Sequence, residues 1–326
     1  MSGASLHHEV DPSVTPTPVQ PFLIGGLGAA TGPISQSNAE LEHTLDTSDQ
    51  WIRERTGIAS RTVGGTTSGL AIDAARAALH DAGLDGSSIG AVVVATSSPD
   101  RVFPSAAAAV CGAIGSTGAA VDTNAACAGF VHALLLGATW IELLGRPVLV
   151  IGSDTLNRLT DPTDRSTAIL FGDAAGAVVL LPDPSRRSGV IAVDAHTAPE
   201  ESEILRCGTV GPIEMEGQAV FKVAVRAVTA SVQAVLGSTE TPATSVDVFV
   251  PHQANERITR AVADRVGFEP HAVVSDLATT GNTSAASIPL ALSRLDQTRL
   301  TDATVIVSGF GAGMTWATAL VRWTRA

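Results

Sequence analysis

Short apolar runs recur in the two halves of the chain with similar polar endings, and this repetition constrains the fold more than any other feature. AVVVATSS (91–98) resembles DVFVPHQ (247–253), and VLVIGSD (148–154) resembles VIVSGFG (305–311). Continuous runs of Val and Ile are typical of strands that helices cover on both faces. Segments with apolar residues at helical spacing, such as LAIDAARAALHDAGL (70–84), separate these runs. The pattern predicts a layered α/β protein that arose by duplication.

The pattern also predicts how the chain is divided. Residues 1–21 are rich in Pro, Ser and Thr, and we expect a flexible N-terminal tail. The regular alternation begins at residue 22 and repeats after residue 185. Two similar halves are therefore predicted, at residues 22–185 and 186–326.

Composition excludes several classes of protein. The formal net charge of −12 argues against a nucleic-acid-binding protein, because phosphate contacts need clustered basic residues. Three cysteines, an odd number without metal-ligand spacing, predict a reduced compartment and no metal site. No signal peptide is recognised, and no apolar run is expected to approach the ~20 residues of a membrane span. We therefore expect a soluble cytoplasmic protein that does not bind a membrane.

A cysteine among small residues is the first candidate for chemistry. Cys127 lies in DTNAACAGF (122–130), where a loop is predicted to pass into a helix. The positive end of the helix dipole would favour a thiolate, and the small neighbours would leave room for a substrate. Cysteines in alanine-rich stretches are more often inert core residues, as we expect for Cys111, and Cys207 in EILRCGTV carries no sign of chemistry either. Taken alone, Cys127 is therefore better interpreted as structural.

Three further motifs are equally ambiguous one by one. His252 in VPHQANERI follows a predicted buried strand, at the strand end where α/β proteins usually bind ligands. Asn282 in TTGNTSAAS fits a turn or helix cap as well as a functional site. SGFGAGMTW (308–316) lacks the spacing of a phosphate-binding loop, but its backbone N–H groups suit the polarisation of a carbonyl oxygen.

Together, these motifs are specific. The order Cys127, His252, Asn282 and then a glycine-rich turn resembles the β-ketoacyl-acyl carrier protein (ACP) synthase III family of thiolase-fold condensing enzymes. The resemblance runs from about residue 22 to the C-terminus. The segments closest to the family pattern are DTSDQWIRERTGI, ACAGF, GDAAGA, FKVAV, VPHQANERI and TGNTSAAS. The resemblance implies a thiolase-like fold with a duplicated, layered α-β-α-β-α architecture.

It also implies a mechanism that starts fatty-acid or polyketide chains. Cys127 would attack an acyl-CoA and hold the acyl group, with the N–H groups of Cys127 and Ala312 as the oxyanion hole. A malonyl-ACP would then lose CO2 while a neutral His252 and Asn282 donate hydrogen bonds to the developing enolate. Acyl-CoA is a substrate in this scheme, and no resident cofactor is expected.

The resemblance assigns binding roles to further residues. Trp51 and Arg165 would sandwich the adenine of CoA, with Arg55 and Asn255 nearby. Phe103 would cross a homodimer interface and close the partner's acyl pocket. Lys222, Arg257, Arg260 and Arg265 would dock the acidic carrier protein, although Asp264 stands where a basic residue is common.

Four departures from the family pattern leave the substrate open. Ala312 and Ala174 replace common glycines, Asn124 replaces a small residue, and segment 196–216 is shorter than usual. The starter acyl group, the extender and the choice between fatty-acid and polyketide pathways therefore stay undecided.

Other functions use some of the same residue types. An acyltransferase that moves an acyl group to a hydroxyl or amine without decarboxylation is the main alternative, and the presence of Asn282 disfavours it. A papain-like hydrolase uses Cys, His and Asn as well, but its sequence context is absent. A non-catalytic acyl-binding module would not need the intact set of Cys127, His252 and Asn282.

Overall fold

The computed structural model describes residues 20–326. The strands, in chain order, are β1 (Gln20–Thr31), β2 (Ile34–Ser37), β3 (Ser60–Val63), β4 (Ala91–Ala95), β5 (Ala119–Thr123), β6 (Val148–Thr155), β7 (Asp173–Pro182), β8 (Gly189–Thr197), β9 (Leu205–Arg206), β10 (Glu214–Met215), β11 (Val248–Pro251), β12 (Ala303–Gly311) and β13 (Thr315–Trp323). The helices are α1 (Asn38–Glu42), α2 (Asp49–Thr56), α3 (Thr67–Ala82), α4 (Ala106–Ile114), α5 (Gly129–Leu144), α6 (Arg165–Ala168), α7 (Gly217–Ser238), α8 (Glu256–Val266), α9 (Leu277–Thr280) and α10 (Ser287–Arg294).

The strand order repeats between the two halves. The large sheet of the described chain runs β11-β12-β13-β8-β1-β7-β6-β4-β5. In the first half β6 lies between parallel β4 and antiparallel β7, and in the second half β12 lies between parallel β11 and antiparallel β13. A parallel bridge from Phe249 of β11 to Val273 occupies the position that β5 takes beside β4. The predicted duplication is confirmed, because β4 corresponds to β11 and β6 to β12.

The two halves of the sheet join at the corner where β1 meets β8, and Ile24 of β1 also bonds the backbone of Thr324 and Ala326 after β13. β1 and β8 pair at Gln20 with Val190 and at Pro21 with Gly189. Gln20 and Pro21, which were predicted to belong to the flexible tail, therefore lie in β1. The rest of the predicted tail, residues 1–19, lies outside the described residues. The predicted boundary after residue 185 falls in the turn between β7 and β8.

Three apolar cores produce the layers. The central core contains Phe130 and Leu134 of α5, Ile288 of α10, and strand residues of both halves such as Val150 and Val307. A second core lies between α3, α4 and the first half of the sheet, and a third between α7, α8 and the second half. The order of layers is α-β-α-β-α, as predicted. The helices α5 and α10, which adjoin Cys127 and Asn282 in sequence, lie in the middle layer.

Two helical stretches bear on the membrane prediction. Ala126–Leu144 and Gly217–Ser238 are long and apolar enough to span a membrane by length and composition, so the expectation that no run approached that length was wrong. Within the molecule, 56% and 50% of the respective apolar windows are buried. Such burial is typical of core helices, and the stretches pack in the central layer and in one outer layer.

Candidate active site

One cavity brings the three predicted catalytic side chains together. It has a volume of about 680 Å³, and its lining includes Cys127, His252 and Asn282. The three residues come from the turn before α5, the end of β11 and the segment between α9 and α10. Distant parts of the sequence therefore converge on one site. A core cysteine, an isolated histidine and a turn asparagine would have no reason to lie together in this way.

Cys127 lies in a tight turn that Asn124 holds. A 3-10 turn, Ala126–Ala128, leads directly into α5. Ala126 adopts a left-handed backbone with φ of 45°, which is costly for a residue with a side chain. The Asn124 Oδ1 accepts a hydrogen bond of 3.1 Å from the Ala126 N–H, which stabilises this backbone. Asn124, which the family resemblance leaves unexplained, thus shapes the turn that contains Cys127.

The end of β12 approaches the backbone of Cys127 so closely that only glycine fits. A Cβ atom added to Gly311 would lie 2.5 Å from the Cys127 backbone nitrogen, and one added to Gly309 would lie 2.7 Å from the Ala128 Cα. Gly311 lines the cavity, whereas the next residue, Ala312, is half-buried and does not. The left-handed residue of this turn is Gly313, with φ of 126°, so the Ala312 methyl causes no such strain. The oxyanion role of Ala312 stays a prediction.

Burial makes the resting Cys127 a thiol. The pKa of Cys127 is raised to about 12, mainly by desolvation; the Ser284 hydroxyl opposes this rise, and the nearby Asp154 carboxylate adds a smaller increase. The thiolate predicted from the helix N-terminus is therefore not the form that this site favours. The dipole effect falls short because the sulfur is withdrawn from water, with only 8% of the residue exposed.

The imidazole of His252 is neutral, and hydrogen bonds on the side away from the cavity fix its position. Its backbone N–H donates to the Ser308 carbonyl at 2.7 Å, which fixes it at the end of β11. Its Nδ1 lies 2.7 Å from the Ser287 hydroxyl, so Nε2 is the nitrogen left for the cavity. Burial lowers the pKa of His252 to about 3, which agrees with the neutral histidine that the resemblance implies.

Asn282 presents its amide NH2 group to the cavity. Its backbone N–H donates to the Leu170 carbonyl at 2.8 Å, and its carbonyl accepts from the Gly172 N–H at 2.9 Å. The side-chain Oδ1 accepts the Ser284 N–H at 2.9 Å. The turn role that the sequence suggested is therefore filled by the oxygen alone, and the nitrogen remains as a donor.

Asp154 is a buried residue that the sequence analysis missed. One carboxylate oxygen accepts hydrogen bonds from the hydroxyls of Thr96, Ser97 and Ser98, and the other accepts the Ala285 N–H at 3.2 Å. It thus connects the loop after β4 with the turn that follows Asn282. The detectable signal was a carboxylate at the end of the otherwise apolar VLVIGSD run.

Two guanidinium groups lie against the indole at the cavity mouth. The Trp51 ring centroid is 4.6 Å from the guanidinium carbon of Arg165 and 5.6 Å from that of Arg55. Asn255 links this region to α8, since its amide donates to the Arg55 carbonyl and its oxygen caps the helix at the Arg257 N–H. Trp51, Arg55 and Asn255 line the cavity, and Arg165 adjoins it through Trp51.

The predicted carrier-docking residues divide into two groups. Lys222 and Arg257 line the cavity, and Arg257 lies 5.4 Å from the centroid of the Phe221 ring. Arg260 and Arg265 do not line it; both are exposed, and Arg260 pairs with Glu256 at 3.1 Å. α8 therefore directs Arg257 toward the mouth and the other two arginines elsewhere. Any docking role of Arg260 and Arg265 would lie outside the cavity.

Phe103 projects from the molecule. It is 80% exposed, as is its neighbour Val102 at 92%, and it does not line the cavity of its own chain. An exposed aromatic side chain beside a second exposed apolar residue is typical of a contact surface. The predicted contribution of Phe103 to a partner's pocket stays a prediction.

The remaining departures from the family pattern have simple placements. Ala174 is buried against Ala286 and Leu290, where its methyl fills space. The short segment 196–216 forms a 3-10 helix and the β9–β10 hairpin, and its Leu205 and Met215 line the cavity. In residues 20–326, no group of three His, Cys, Asp or Glu side chains is arranged to hold a metal ion.

Comparisons with known proteins agree with this geometry. Residues 121–199 match the family profile of 3-oxoacyl-[acyl-carrier-protein (ACP)] synthase III, and residues 236–323 match that of its C-terminal region. The β-ketoacyl-ACP synthase III of Rhodobacter capsulatus is 44% identical, covering 92% of this chain and 98% of the relative.

Solved structures give the same result. The synthase III of Pseudomonas aeruginosa has a TM-score of 0.89 and 39% identity, covering 93% of this chain and 98% of its own. The priming β-ketosynthase of a polyketide biosynthetic pathway has a TM-score of 0.88 and 32% identity, covering 97% of this chain and 100% of its own. The predicted family and thiolase-like fold are confirmed: the chain belongs to the β-ketoacyl-ACP synthase III family of acyltransferase-type condensing enzymes.

Proposed function

We propose that this protein starts fatty-acid or polyketide chains by decarboxylative condensation of an acyl group from acyl-CoA with malonyl-ACP. The observation that carries the proposal is the convergence of Cys127, His252 and Asn282 on one cavity with a cationic and aromatic mouth. A thiol nucleophile and two neutral donors are the groups that acyl transfer followed by enolate formation needs.

In the first half-reaction, the Cys127 sulfur attacks the thioester carbonyl of acyl-CoA. The C–S bond to CoA breaks, and the thiol proton leaves with the CoA thiolate as free CoA. Exchange of one thiol for another needs no net gain or loss of a proton, which suits a cysteine whose pKa is raised to about 12 by burial. The backbone N–H groups of Cys127 and Ala312 are proposed to stabilise the tetrahedral oxyanion.

In the second half-reaction, malonyl-ACP loses CO2 and leaves an enolate on its thioester. The Asn282 amide and the His252 imidazole donate hydrogen bonds to the enolate oxygen. The enolate carbon then attacks the acyl-cysteine carbonyl and the C–S bond to Cys127 breaks, so that β-ketoacyl-ACP is released and the Cys127 thiolate takes up one proton from water. A neutral His252 is suitable because an imidazolium would protonate the carbanion.

The mouth supports roles in substrate binding. Trp51 and Arg165 are proposed to hold the adenine of CoA, and the Arg165 guanidinium, which lies 4.6 Å from the Trp51 ring centroid, would have to move away from the indole to admit it. Arg55 and Asn255 line the cavity that contains Cys127. Lys222 and Arg257 give the carrier protein a local basic contact on a chain whose net charge is −12. We further propose a cytoplasmic homodimer, supported by the exposed Phe103 and by the free state of Cys111, Cys127 and Cys207.

Intact-protein mass spectrometry with a panel of acyl-CoAs tests the proposal. One acyl mass should be gained by the wild type and none by Cys127→Ala. Addition of malonyl-ACP should then release one CO2 for each acyl group lost. Acylated protein that transfers its acyl group to a hydroxyl or amine without CO2 release would indicate the alternative acyltransferase. Acyl uptake by Cys127→Ala would contradict both.

A further inference from the structure

A serine outside the predicted set contacts the buried face of the His252 ring. The Ser287 hydroxyl is 2.7 Å from Nδ1 of His252, and the Gln253 backbone N–H donates to the same hydroxyl oxygen at 3.3 Å. Ser287 is the first residue of α10 and is 2% exposed, while His252 is 7% exposed. Neither group can readily exchange this contact for water.

The loop that carries His252 is held in place by the Gln253 side chain. Its amide donates to the Pro251 carbonyl at 2.6 Å and to the Val274 carbonyl at 3.3 Å. Its oxygen accepts the Asp276 N–H at 3.0 Å. Because both the amide nitrogen and the amide oxygen of Gln253 are hydrogen-bonded, the backbone of this residue is fixed, and its N–H stays directed at the Ser287 oxygen.

Counting protons around Ser287 distinguishes the two neutral tautomers of His252. If Nδ1 carried the proton, both His252 and Gln253 would donate to the Ser287 oxygen, and the hydroxyl hydrogen would have no acceptor among its contacts in the described residues. A buried donor without an acceptor is destabilising. If Nε2 carries the proton, Ser287 donates to Nδ1 and accepts from Gln253, and all three groups are satisfied.

We propose that Ser287 is a positioning residue that holds His252 with its proton on Nε2, toward the cavity. In this state His252 is a hydrogen-bond donor to the thioester oxygen of the malonyl substrate and not a proton acceptor for Cys127. The neutral form of the ring, caused by burial, is consistent with this assignment. The kinetic consequence rests on the proposed condensing function, whereas the tautomer itself does not.

Nitrogen-15 NMR of the full-length, histidine-labelled protein tests the tautomer directly. The His252 signals are identified by their loss in His252→Gln. We expect a pyridine-type shift for Nδ1 and a pyrrole-type shift for Nε2 at neutral pH. A pyrrole-type Nδ1, or shifts averaged between the two tautomers, would overturn the proposal. This readout is independent of turnover, so it still decides the tautomer if the enzyme releases no CO2 and the proposed function fails.

A comparison of the two half-reactions tests the consequence. In Ser287→Ala, decarboxylation of malonyl-ACP should fall about tenfold, whereas acylation of Cys127 should change less than about threefold. The substitution removes the hydrogen bond to Nδ1 that favours the proton on Nε2, and only decarboxylation uses His252 as a donor. Ser287→Thr keeps the hydroxyl and should restore decarboxylation. Ser293→Ala is the matched control, since this hydroxyl of the same helix bonds the Leu290 carbonyl at 2.8 Å.

Equal losses in both half-reactions, or no rescue by threonine, would contradict the positioning role. If Ser287→Ala does not fold, the NMR experiment on the wild-type protein remains decisive.

Discussion

The reactivity of Cys127 in the free enzyme is expected to increase about tenfold for each unit of pH between 6 and 9. Burial raises the pKa of the thiol from the ordinary 9.0 to about 12. At pH 7 the pH lies five units below that pKa, so about one sulfur in 100,000 is a thiolate. Because the thiolate is the nucleophile, the rate of alkylation follows this fraction.

Alkylation by iodoacetamide, followed by mass spectrometry of the peptide that contains Cys127, measures this dependence. The logarithm of the rate should rise with a slope of about one and no plateau up to pH 9, because a group with a raised pKa stays protonated over this range. The exposed Cys207 serves as an internal reference for reagent access. A plateau below pH 8 would refute the reasoning, since it would mean that the helix N-terminus outweighs desolvation at the sulfur.

Three substitutions test other parts of the site. Gly311→Ala should reduce the rate of acylation at least about 100-fold, because its Cβ would lie 2.5 Å from the Cys127 backbone nitrogen. Gly237→Ala is the control, since open space surrounds this glycine, and it should leave the rate of acylation unchanged. Asn124→Ala removes the hydrogen bond to the Ala126 N–H and should slow acylation by about 3- to 10-fold. Asn124→Asp keeps the acceptor oxygen and should acylate at a rate close to that of the wild type. Equal rates in the two variants would contradict the turn role of Asn124. Arg257→Ala should raise the KM for malonyl-ACP by about 5- to 10-fold and Arg265→Ala by less than twofold; the reverse order would move carrier docking away from the cavity mouth.

The sequence predicts the fold well because the layers depend on local patterns. Continuous Val and Ile runs identified β4, β6, β11 and β12, and their similar polar endings revealed the duplication. The exception is Gln20 and Pro21, which were assigned to the tail although both lie in β1. Gln20 and Pro21 carry no strand pattern of their own, and they are ordered by pairing with β8 across the corner between the halves.

The candidate site is only partly visible in the sequence. Motif order identified Cys127, His252 and Asn282, but the protonation of the cysteine depends on how far the sulfur is removed from water, which no local pattern reports. The different placements of Arg257 and Arg265 depend on how α8 is rotated, and the Asn255 cap and its contact with the Arg55 carbonyl contribute to that rotation. Asp154 and Ser287 were missed because their partners are distant in sequence and appear only when the layers assemble.

The same physical cause keeps both reactive groups of this cavity neutral. Desolvation raises the pKa of Cys127 to about 12 and lowers that of His252 to about 3, so an ion pair between thiolate and imidazolium is disfavoured from both sides. An imidazolium would help the sulfur to ionise, but it would also be an acid next to the carbanion that condensation requires. In a dry cavity, a neutral imidazole and the Asn282 amide interact more strongly with charge that develops on a substrate oxygen than they would in water. The small thiolate fraction of free Cys127 thus results from the same dry environment that would favour the proposed enolate, and in the proposed first half-reaction the departing CoA thiolate would accept the thiol proton.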